Sequence, residues 1–220
     1  PPGCERFYTE HIVRLPHSYQ VNDRKRAVAP TTPSRAEAGL PEQGFVFCCF
    51  NNNYTISPAV FAVWMRLLQR TPGSVLWLLQ DNAEAAAHLR ASAKAAGVDP
   101  ARLVLAPRVP MPEHLARQRL ADLFLDTLPC NAHTTTSDAL WVGLPVLTCL
   151  GESFPGRVAA SLLRAAGLPE LVTTSLADYE ALAITLATTP GMLADLRARL
   201  ERGRLVCPLF DTEGFVRNLE

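Results

Sequence analysis

A run of hydroxyl side chains is the first feature of this sequence that could do chemistry. Three threonines at 134–136 follow His133 and precede Asp138 in the stretch CNAHTTTSDALWVGLPV. The apolar residues beyond them recur with helical spacing, so the threonines lie at a predicted helix start. Thr134 or Thr135 could cap that helix, and Thr135 with Asp138 has the spacing of a capping box. We favour a phosphate site, because a cap needs one hydroxyl and a helix start also offers free N–H groups and a positive dipole end.

Two side chains that can bind a flat heterocycle lie in the stretch APRVPMPEHLARQ. His114 and Arg117 are three residues apart, which places them on one face of a predicted helix just after an apolar run. Imidazole and guanidinium groups can stack on a ring, and the backbone at Val109 can bond to its edge. A solvated helix face explains the same spacing and, from this stretch alone, is the better interpretation.

Amide side chains follow the first apolar run in the stretch FNNNYTISPAV. The asparagines at 51–53 can donate hydrogen bonds to oxygens, although they are equally typical of a turn. Ser57 followed by Pro58 is a strong signal for the start of a helix. Three polar loops of this kind, each directly after an apolar run, favour a shared binding site.

Short apolar runs alternate with helical segments from residue 45 onwards. The runs are predicted strands, and because they are almost entirely apolar we expect both faces of the sheet to be covered. They lie at 45–50, 75–79, 103–105, 123–125, 146–148 and, more weakly, 171–173. Segments with helical periodicity lie at 58–69, 83–96, 112–119, 135–142, 156–166, 176–188 and 192–204.

This alternation predicts an α/β fold with a doubly wound parallel sheet. Ligands of such sheets bind at the carboxyl ends of the strands, so the polar loops should meet at one edge. The loops concerned are 51–57, 107–112, 126–135 and 149–155. We divide the chain into an irregular N-terminal segment and linker at 1–44, a Rossmann-like lobe at 45–205 and a C-terminal helical segment at 206–220.

The charge balance gives no reason to expect nucleic acid or an anionic membrane as a partner. The chain has 21 basic and 21 acidic residues. Only Lys25 and Lys94 are lysines, so arginines or backbone dipoles must meet any bound anion. No apolar stretch reaches the roughly 18 residues of a membrane span, and no signal peptide opens the chain. We therefore expect a cytoplasmic protein.

The cysteines show no spacing typical of a metal site. They are Cys4, Cys48, Cys49, Cys130, Cys149 and Cys207. Most lie in apolar, strand-like contexts, which favours buried reduced thiols over a disulfide framework. The chain also begins at Pro1 without a methionine, and we expect a fragment of a longer protein.

Several motifs together resemble the C-terminal catalytic half of the O-GlcNAc transferase family, whose other branch is SPINDLY. They are FNNNYTISP, SVLWLL, PEHLAR, LADLFLDTLPCNAHTTTSDALWVGLPVLT, GESFPGRVAAS and CPLFDTEGFVRNLE, and they span most of the chain. The resemblance implies the Rossmann-like C-terminal lobe of a two-domain GT-B glycosyltransferase. Such an enzyme transfers N-acetylglucosamine from UDP-GlcNAc to serine or threonine hydroxyls of acceptor proteins.

The same resemblance implies partners and cofactors. The transfer is inverting and needs neither a metal nor another cofactor, in keeping with the lack of a DxD motif in the chain. A missing N-terminal lobe and upstream tetratricopeptide repeats would complete the protein, and we also expect a bacterial source. Because most acceptor-side and catalytic groups of the family lie in the other lobe, the isolated chain should be inactive.

Mapped motif by motif, the resemblance implies nine donor-binding residues. They are Asn52, Thr55, Val109, His114, Arg117, His133, Thr134, Thr135 and Asp138. The residues at 133–135 would meet the diphosphate and the sugar, Asp138 the ribose hydroxyls, and Asn52 the phosphates. His114 and Arg117 would meet the uracil, with help from the backbone at Val109.

Two positions depart from the animal members of that family. Thr55 stands where a diphosphate-binding lysine is expected, and Met111 stands where a lysine near the ribose is expected. Losing a comparable electrostatic stabiliser of a leaving group costs roughly 2–4 kcal/mol. The titratable side chains of Asp126, Asp138, His114 and His133 form no recognisable triad, so we assign no general base.

Three other functions are consistent with the sequence. A SPINDLY-like O-fucosyltransferase using GDP-fucose shares much of the motif. A degenerate, non-catalytic nucleotide-binding or protein-binding module would explain the loss of the lysine at Thr55. A generic Rossmann-like domain with an unrelated ligand is the third.

Overall fold

Six parallel strands form the sheet at the centre of the structure, a computed structural model that describes residue 3 and residues 5–220. The strands are β1 (Val46–Cys49), β2 (Val75–Leu79), β3 (Leu103–Ala106), β4 (Leu123–Leu125), β5 (Val146–Cys149) and β6 (Val172–Thr173). Their order is β3-β2-β1-β4-β5-β6, and every pair is parallel. The predicted doubly wound α/β fold is confirmed. The order reverses between β1 and β4, which is where such sheets open a crevice for ligands.

Helices connect successive strands, and further helices follow the last strand. They are α1 (Pro58–Arg70), α2 (Ala83–Ala95), α3 (Met111–Arg117), α4 (Thr134–Trp141), α5 (Val158–Ala165), α6 (Leu176–Thr188), α7 (Pro190–Gly203) and α8 (Thr212–Leu219). All residues of β1, β2, β4 and β5 are buried, as expected for strands covered on both faces. Edge strand β3 is only partly buried at its two central residues.

The start of α1 matches its sequence signal. Ser57 is the N-cap, its side chain accepts a hydrogen bond from the backbone N–H of Val60, and Pro58 occupies the first turn. The Ser57 hydroxyl also donates to the carbonyl oxygen of Leu128 at 2.8 Å. This second bond ties the helix start to the loop after β4.

Helices α3 and α5 each differ from their predicted bounds by two residues at one end. Helix α5 begins at Val158 rather than at 156, and the carbonyl oxygen of Gly156 makes a non-helical bond, accepting from the backbone N–H of Gly151 at 2.6 Å. Helix α3 ends at Arg117 instead of 119, and a 3-10 turn at Gln118–Leu120 follows it. The spacing of apolar residues carries no information about such local contacts, so it could not predict these helix ends.

The segment before β1 contains no strand or α-helix at residues 5–44, yet it packs against the lobe. Asn22 is buried and donates to the carbonyl oxygen of Leu209 at 3.1 Å, next to α8. The backbone N–H of Ala29 donates to the carbonyl oxygen of Pro112 at 3.0 Å, and Leu40 joins the core. The segment is therefore a covering layer of the lobe.

The five described cysteines are free thiols, and four of them are buried; Cys4 lies outside the described residues. Across residues 3 and 5–220, no helix has the length and apolar character needed to cross a membrane.

Candidate functional site

A cleft of about 570 Å³ opens at the carboxyl ends of β1, β3 and β4. All nine residues predicted to bind the donor line it: Asn52, Thr55, Val109, His114, Arg117, His133, Thr134, Thr135 and Asp138. They come from three loops that are far apart in sequence, so the strand order brings them together. Their role in binding stays a prediction.

The start of α4 forms one wall of the cleft, and it differs from the predicted capped helix. His133, not a threonine, occupies the N-cap position, and no side chain in the described part of the chain caps the helix. The capping box is wrong as well, because the Thr135 hydroxyl bonds to Asn51 and the Asp138 carboxylate bonds to Arg26. The first backbone N–H groups of α4 therefore have neither an intrahelical acceptor nor a side-chain cap.

The three threonine hydroxyls have three different environments. Thr134 is exposed, and its hydroxyl bonds to no other described residue. Thr135 is half-buried and donates to Asn51. Thr136 is fully buried, donates to the carbonyl oxygen of Ala132 at 3.1 Å and does not line the cleft, so its predicted place in a phosphate cradle is wrong.

Asn51 joins the loops after β1 and β4 to α4. Its side chain is buried, donates to the Thr127 hydroxyl at 2.8 Å and accepts from Thr135. Asn52 instead accepts from the Arg108 guanidinium at 3.1 Å and donates to the Tyr54 hydroxyl at 3.2 Å. The asparagines thus do more than form a turn, since Asn51 fixes the position of Thr135.

The ring of His133 is held on both sides. Its Nε2 lies 3.4 Å from the carbonyl oxygen of Pro155, and its Nδ1 lies 3.2 Å from the Tyr19 hydroxyl. A carbonyl oxygen only accepts, so Nε2 is the donor to Pro155, and in the neutral ring Nδ1 accepts from the Tyr19 hydroxyl. Tyr19 belongs to the segment before β1, and no local pattern in the sequence predicts this contact.

Asp138 lines the cleft from α4 although its residue is only 2% exposed. Its carboxylate forms an ion pair with Arg26 of the N-terminal segment. A second guanidinium nitrogen of Arg26 lies 3.3 Å from the Ser137 hydroxyl. Arg26 is 112 residues from its partner, so no local pattern in the sequence indicates this pair.

The α3 side of the cleft is not the solvated helix face that the sequence alone favoured. Arg117 is buried, its guanidinium packs over Phe50 at 5.3 Å, and it donates to the carbonyl oxygen of Pro107 at 2.6 Å. It also donates to Nδ1 of His114 at 2.8 Å. Burial and then the charges of Arg117 and Arg108 lower the pKa of His114 from 6.5 to about 4. His114 is therefore neutral at physiological pH.

Arg108 is the cation that the sequence analysis overlooked at this edge. It lines the cleft and bonds to Asn52, and its guanidinium also lies 2.7 Å from the Asp81 carboxylate. Its position, directly after strand β3 in a loop already singled out, was the signal that could have identified it. Arg108 places a guanidinium, paired with Asp81, on the side opposite α4.

Neither position that departs from the animal pattern supplies a cation. The Thr55 hydroxyl donates to the backbone carbonyl of Asn52 at 2.8 Å, so this side chain closes its own turn. Met111 is the first residue of α3, lines the cleft and is 49% exposed.

Asp126 shapes the loop that leads into α4 but does not line the cleft. Its buried carboxylate accepts from the backbone N–H groups of Thr127 at 2.7 Å and Ala132 at 2.6 Å, and from the Thr148 hydroxyl at 2.6 Å. Burial raises its pKa from 3.8 to about 7 against these bonds. These contacts make it a structural group.

The profile of glycosyl transferase family 41 matches residues 12–219. The chain is 42% identical over its full length to a probable UDP-N-acetylglucosamine–peptide N-acetylglucosaminyltransferase SEC of Arabidopsis thaliana, of which it covers 23%. It is 40% identical over 85% of its length to a UDP-N-acetylglucosamine–peptide N-acetylglucosaminyltransferase of Caenorhabditis elegans, of which it covers 16%. The chain thus spans less than a quarter of these relatives.

The fold is also similar to solved structures. An O-GlcNAc transferase mutant of Thermobaculum terrenum aligns with a TM-score of 0.83 and 33% identity, over 100% of this chain and 41% of that one. Anabaena HepE, solved with UDP and glucose, aligns with a TM-score of 0.60 at 14% identity over 86% of this chain and 53% of that one, a likeness of fold alone.

Proposed function

We propose, since the chain belongs to glycosyl transferase family 41, that it is the nucleotide-sugar-binding half of a protein O-linked N-acetylglucosamine transferase. In this proposal the complete protein transfers N-acetylglucosamine from UDP-GlcNAc to serine or threonine hydroxyls of acceptor proteins. The relatives from Arabidopsis and Caenorhabditis carry names of that activity. The acceptor-binding part and the general base belong to the remainder of the protein.

The observation that carries this proposal is the uncapped start of α4 inside the cleft. Free N–H groups, the exposed Thr134 hydroxyl and the positive end of the helix dipole face the same space. On the opposite side, Arg108 adds a guanidinium. A pyrophosphate bound between them would be stabilised as the sugar leaves and negative charge develops on it. We propose that this occurs without a metal or other cofactor.

In this proposal the rest of the donor lies against the remaining walls of the cleft. Asp138 would accept hydrogen bonds from the ribose hydroxyls. The neutral ring of His114 would stack on the uracil, whose edge would bond to the backbone at Val109. Arg117 is already bonded to His114 and Pro107, so we assign it the task of holding the His114 ring in place.

The experiment is a titration of this chain with UDP, UDP-GlcNAc and GDP by calorimetry, with amide chemical shifts recorded by NMR. We expect saturable UDP binding, with shifts concentrated at 133–138 and 108–117, and little affinity for GDP. A preference for GDP would favour the SPINDLY-like fucosyltransferase. Binding of neither nucleotide would overturn the proposal and leave an unrelated ligand.

The environment of Thr55 favours a second candidate, a degenerate module that binds the nucleotide without catalysis. Its hydroxyl closes a turn, so no ammonium reaches the diphosphate from this position. If catalysis was lost with the lysine, Thr55→Lys in the full-length protein should create transfer where the native enzyme has none. Ready transfer by the native full-length enzyme would exclude this candidate, and a radiolabelled-donor assay distinguishes the two results.

We further propose a cytoplasmic location, a bacterial source and tetratricopeptide repeats upstream of this lobe. The family membership supports the repeats, and sequencing the complete gene with its flanking regions tests both the repeats and the source. Fractionation of cells that express a tagged full-length protein tests the location.

A further inference from the structure

The contact between Arg26 and Asp138 joins the segment before β1 to the wall of the cleft. Both the side chain and the backbone of Arg26 bond to residues of α4. Its guanidinium pairs with Asp138 and lies 3.3 Å from the Ser137 hydroxyl, while its carbonyl oxygen accepts from Trp141 Nε1 at 3.2 Å. Both charged side chains are largely buried, with 18% of Arg26 and 3% of Asp138 exposed.

A buried carboxylate needs a counter-charge or hydrogen-bond donors to stay ionised in a fixed orientation. Within residues 3 and 5–220, Arg26 is the only cationic side chain within ion-pair distance of Asp138. Removing one member of such a pair leaves the other charge buried and unpaired.

We propose that Arg26 is a positioning residue for the donor: it keeps the Asp138 carboxylate ionised and aimed so that it can accept hydrogen bonds from the ribose hydroxyls. This inference rests on the proposed function. Arg26 does not line the cleft, so it acts through Asp138 and not by touching the ligand. The segment before β1 thereby becomes part of the donor site.

The test compares UDP with 2′,3′-dideoxy-UDP, which lacks the hydroxyls that Asp138 would bind. Calorimetry on the 220-residue chain gives both affinities for the native protein, Arg26→Met and Arg26→Lys. We expect Arg26→Met to weaken UDP binding by roughly 10- to 100-fold, the range for a lost hydrogen bond to a charged group. It should leave the affinity for dideoxy-UDP nearly unchanged, and Arg26→Lys should retain part of the UDP affinity.

The matched control is Arg24→Met, because Arg24 is exposed and forms no ion pair with another described residue. Its affinity for UDP should equal that of the native chain. An equal loss of both ligands in Arg26→Met would overturn the proposal, as would unchanged UDP binding. A native chain that binds no UDP would instead refute the proposed function, and the positioning role with it.

A double substitution keeps the test decisive if Arg26→Met does not fold. Asp138→Asn removes the buried charge, so Arg26→Met should be tolerated in that background. If Arg26 acts only through Asp138, the double variant binds UDP with the same affinity as Asp138→Asn alone. A further loss of affinity in the double variant would show that Arg26 acts on the site by another route.

Discussion

Neighbouring residues of one type have different tasks in this cleft, and the threonines at 134–136 are the clearest case. Thr134 presents a free hydroxyl, Thr135 bonds to Asn51, and Thr136 is buried against the preceding turn. A hydroxyl that bonds to the protein stabilises the fold, whereas one without a partner is available to a ligand. Substitutions at Thr134 and at Thr136 should therefore have different effects, one on ligand binding and the other on stability.

We predict that Thr134→Val weakens UDP binding by roughly three- to tenfold, the value of one hydrogen bond, with little effect on stability. Thr136→Val should do the opposite, lowering the free energy of unfolding by about 1 kcal/mol while UDP affinity is kept. Calorimetry and urea denaturation on the same samples measure both quantities. Equal effects of the two substitutions on UDP affinity would argue against a pyrophosphate at this helix start.

His114 gives the stability of the chain a pH dependence. Its folded-state pKa of about 4 lies below its ordinary value of 6.5. The stability contributed by the neutral ring is therefore complete above pH 6.5 and is lost as pH falls through 4. The loss is roughly 3 kcal/mol for a shift of this size.

The measurement is the free energy of unfolding from pH 7 to pH 4 for the native chain and His114→Gln. We expect the native chain to lose stability relative to His114→Gln over this range. His88→Gln is the control, because His88 lies exposed on α2. Parallel pH profiles of native and His114→Gln would show that His114 titrates normally.

Among the helices and strands, the starts of α1 and α2 make a useful comparison. Each has a side-chain cap, Ser57 for α1 and Asn82 for α2. Ser57 also bonds to Leu128 in the loop after β4, which continues into α4. Among the described residues, the Asn82 side chain bonds only to backbone N–H groups of its own helix. Removing either cap should therefore lower the free energy of unfolding by a similar amount. Only removal of the Ser57 cap should also affect the loop that leads into α4.

Ser57→Ala and Asn82→Ala should each lower the free energy of unfolding by about 1 kcal/mol, the usual cost of a lost cap. Only Ser57→Ala should also weaken UDP binding, because it releases the loop that leads into α4. Denaturation curves and UDP titrations of both variants test this. A loss of UDP affinity in Asn82→Ala as large as that in Ser57→Ala would mean that general destabilisation explains both.

The chain contains the cleft that we assign to the donor. We assign no general base among its side chains. It spans 23% and 16% of its relatives from Arabidopsis and Caenorhabditis. The Asp126 carboxylate accepts hydrogen bonds that shape its loop, and His114 bonds to Arg117. His133 bonds to Tyr19 and Pro155. Donor binding and transfer should therefore be separable.

We predict that the isolated chain binds UDP-GlcNAc but transfers no sugar to protein, whereas the full-length protein does both. Incubation of each with radiolabelled donor and an acceptor protein tests this, with calorimetry confirming that the chain binds its ligand. Transfer by the isolated chain would place the general base within these 220 residues.

Much of the fold could be predicted from local patterns. Each strand that lines the cleft was visible as an apolar run, because a strand covered on both faces cannot expose polar groups. The loop after each parallel strand must lie at the same edge of the sheet, so grouping Asn52, His114 and His133 needed only the strand assignments. The resemblance then added roles that spacing alone did not supply.

Other features depend on contacts between distant parts of the chain. The bond from Thr135 to Asn51, the bond from Tyr19 to His133 and the pair of Arg26 with Asp138 were invisible in the sequence. The low pKa of His114 likewise arises from burial and from two arginines. The spacing of apolar residues indicates which face of a helix or strand is buried. It does not indicate which distant residue a polar side chain contacts. The partner of a polar side chain depends on which strands and segments lie side by side, and that arrangement exists only once the sheet has formed.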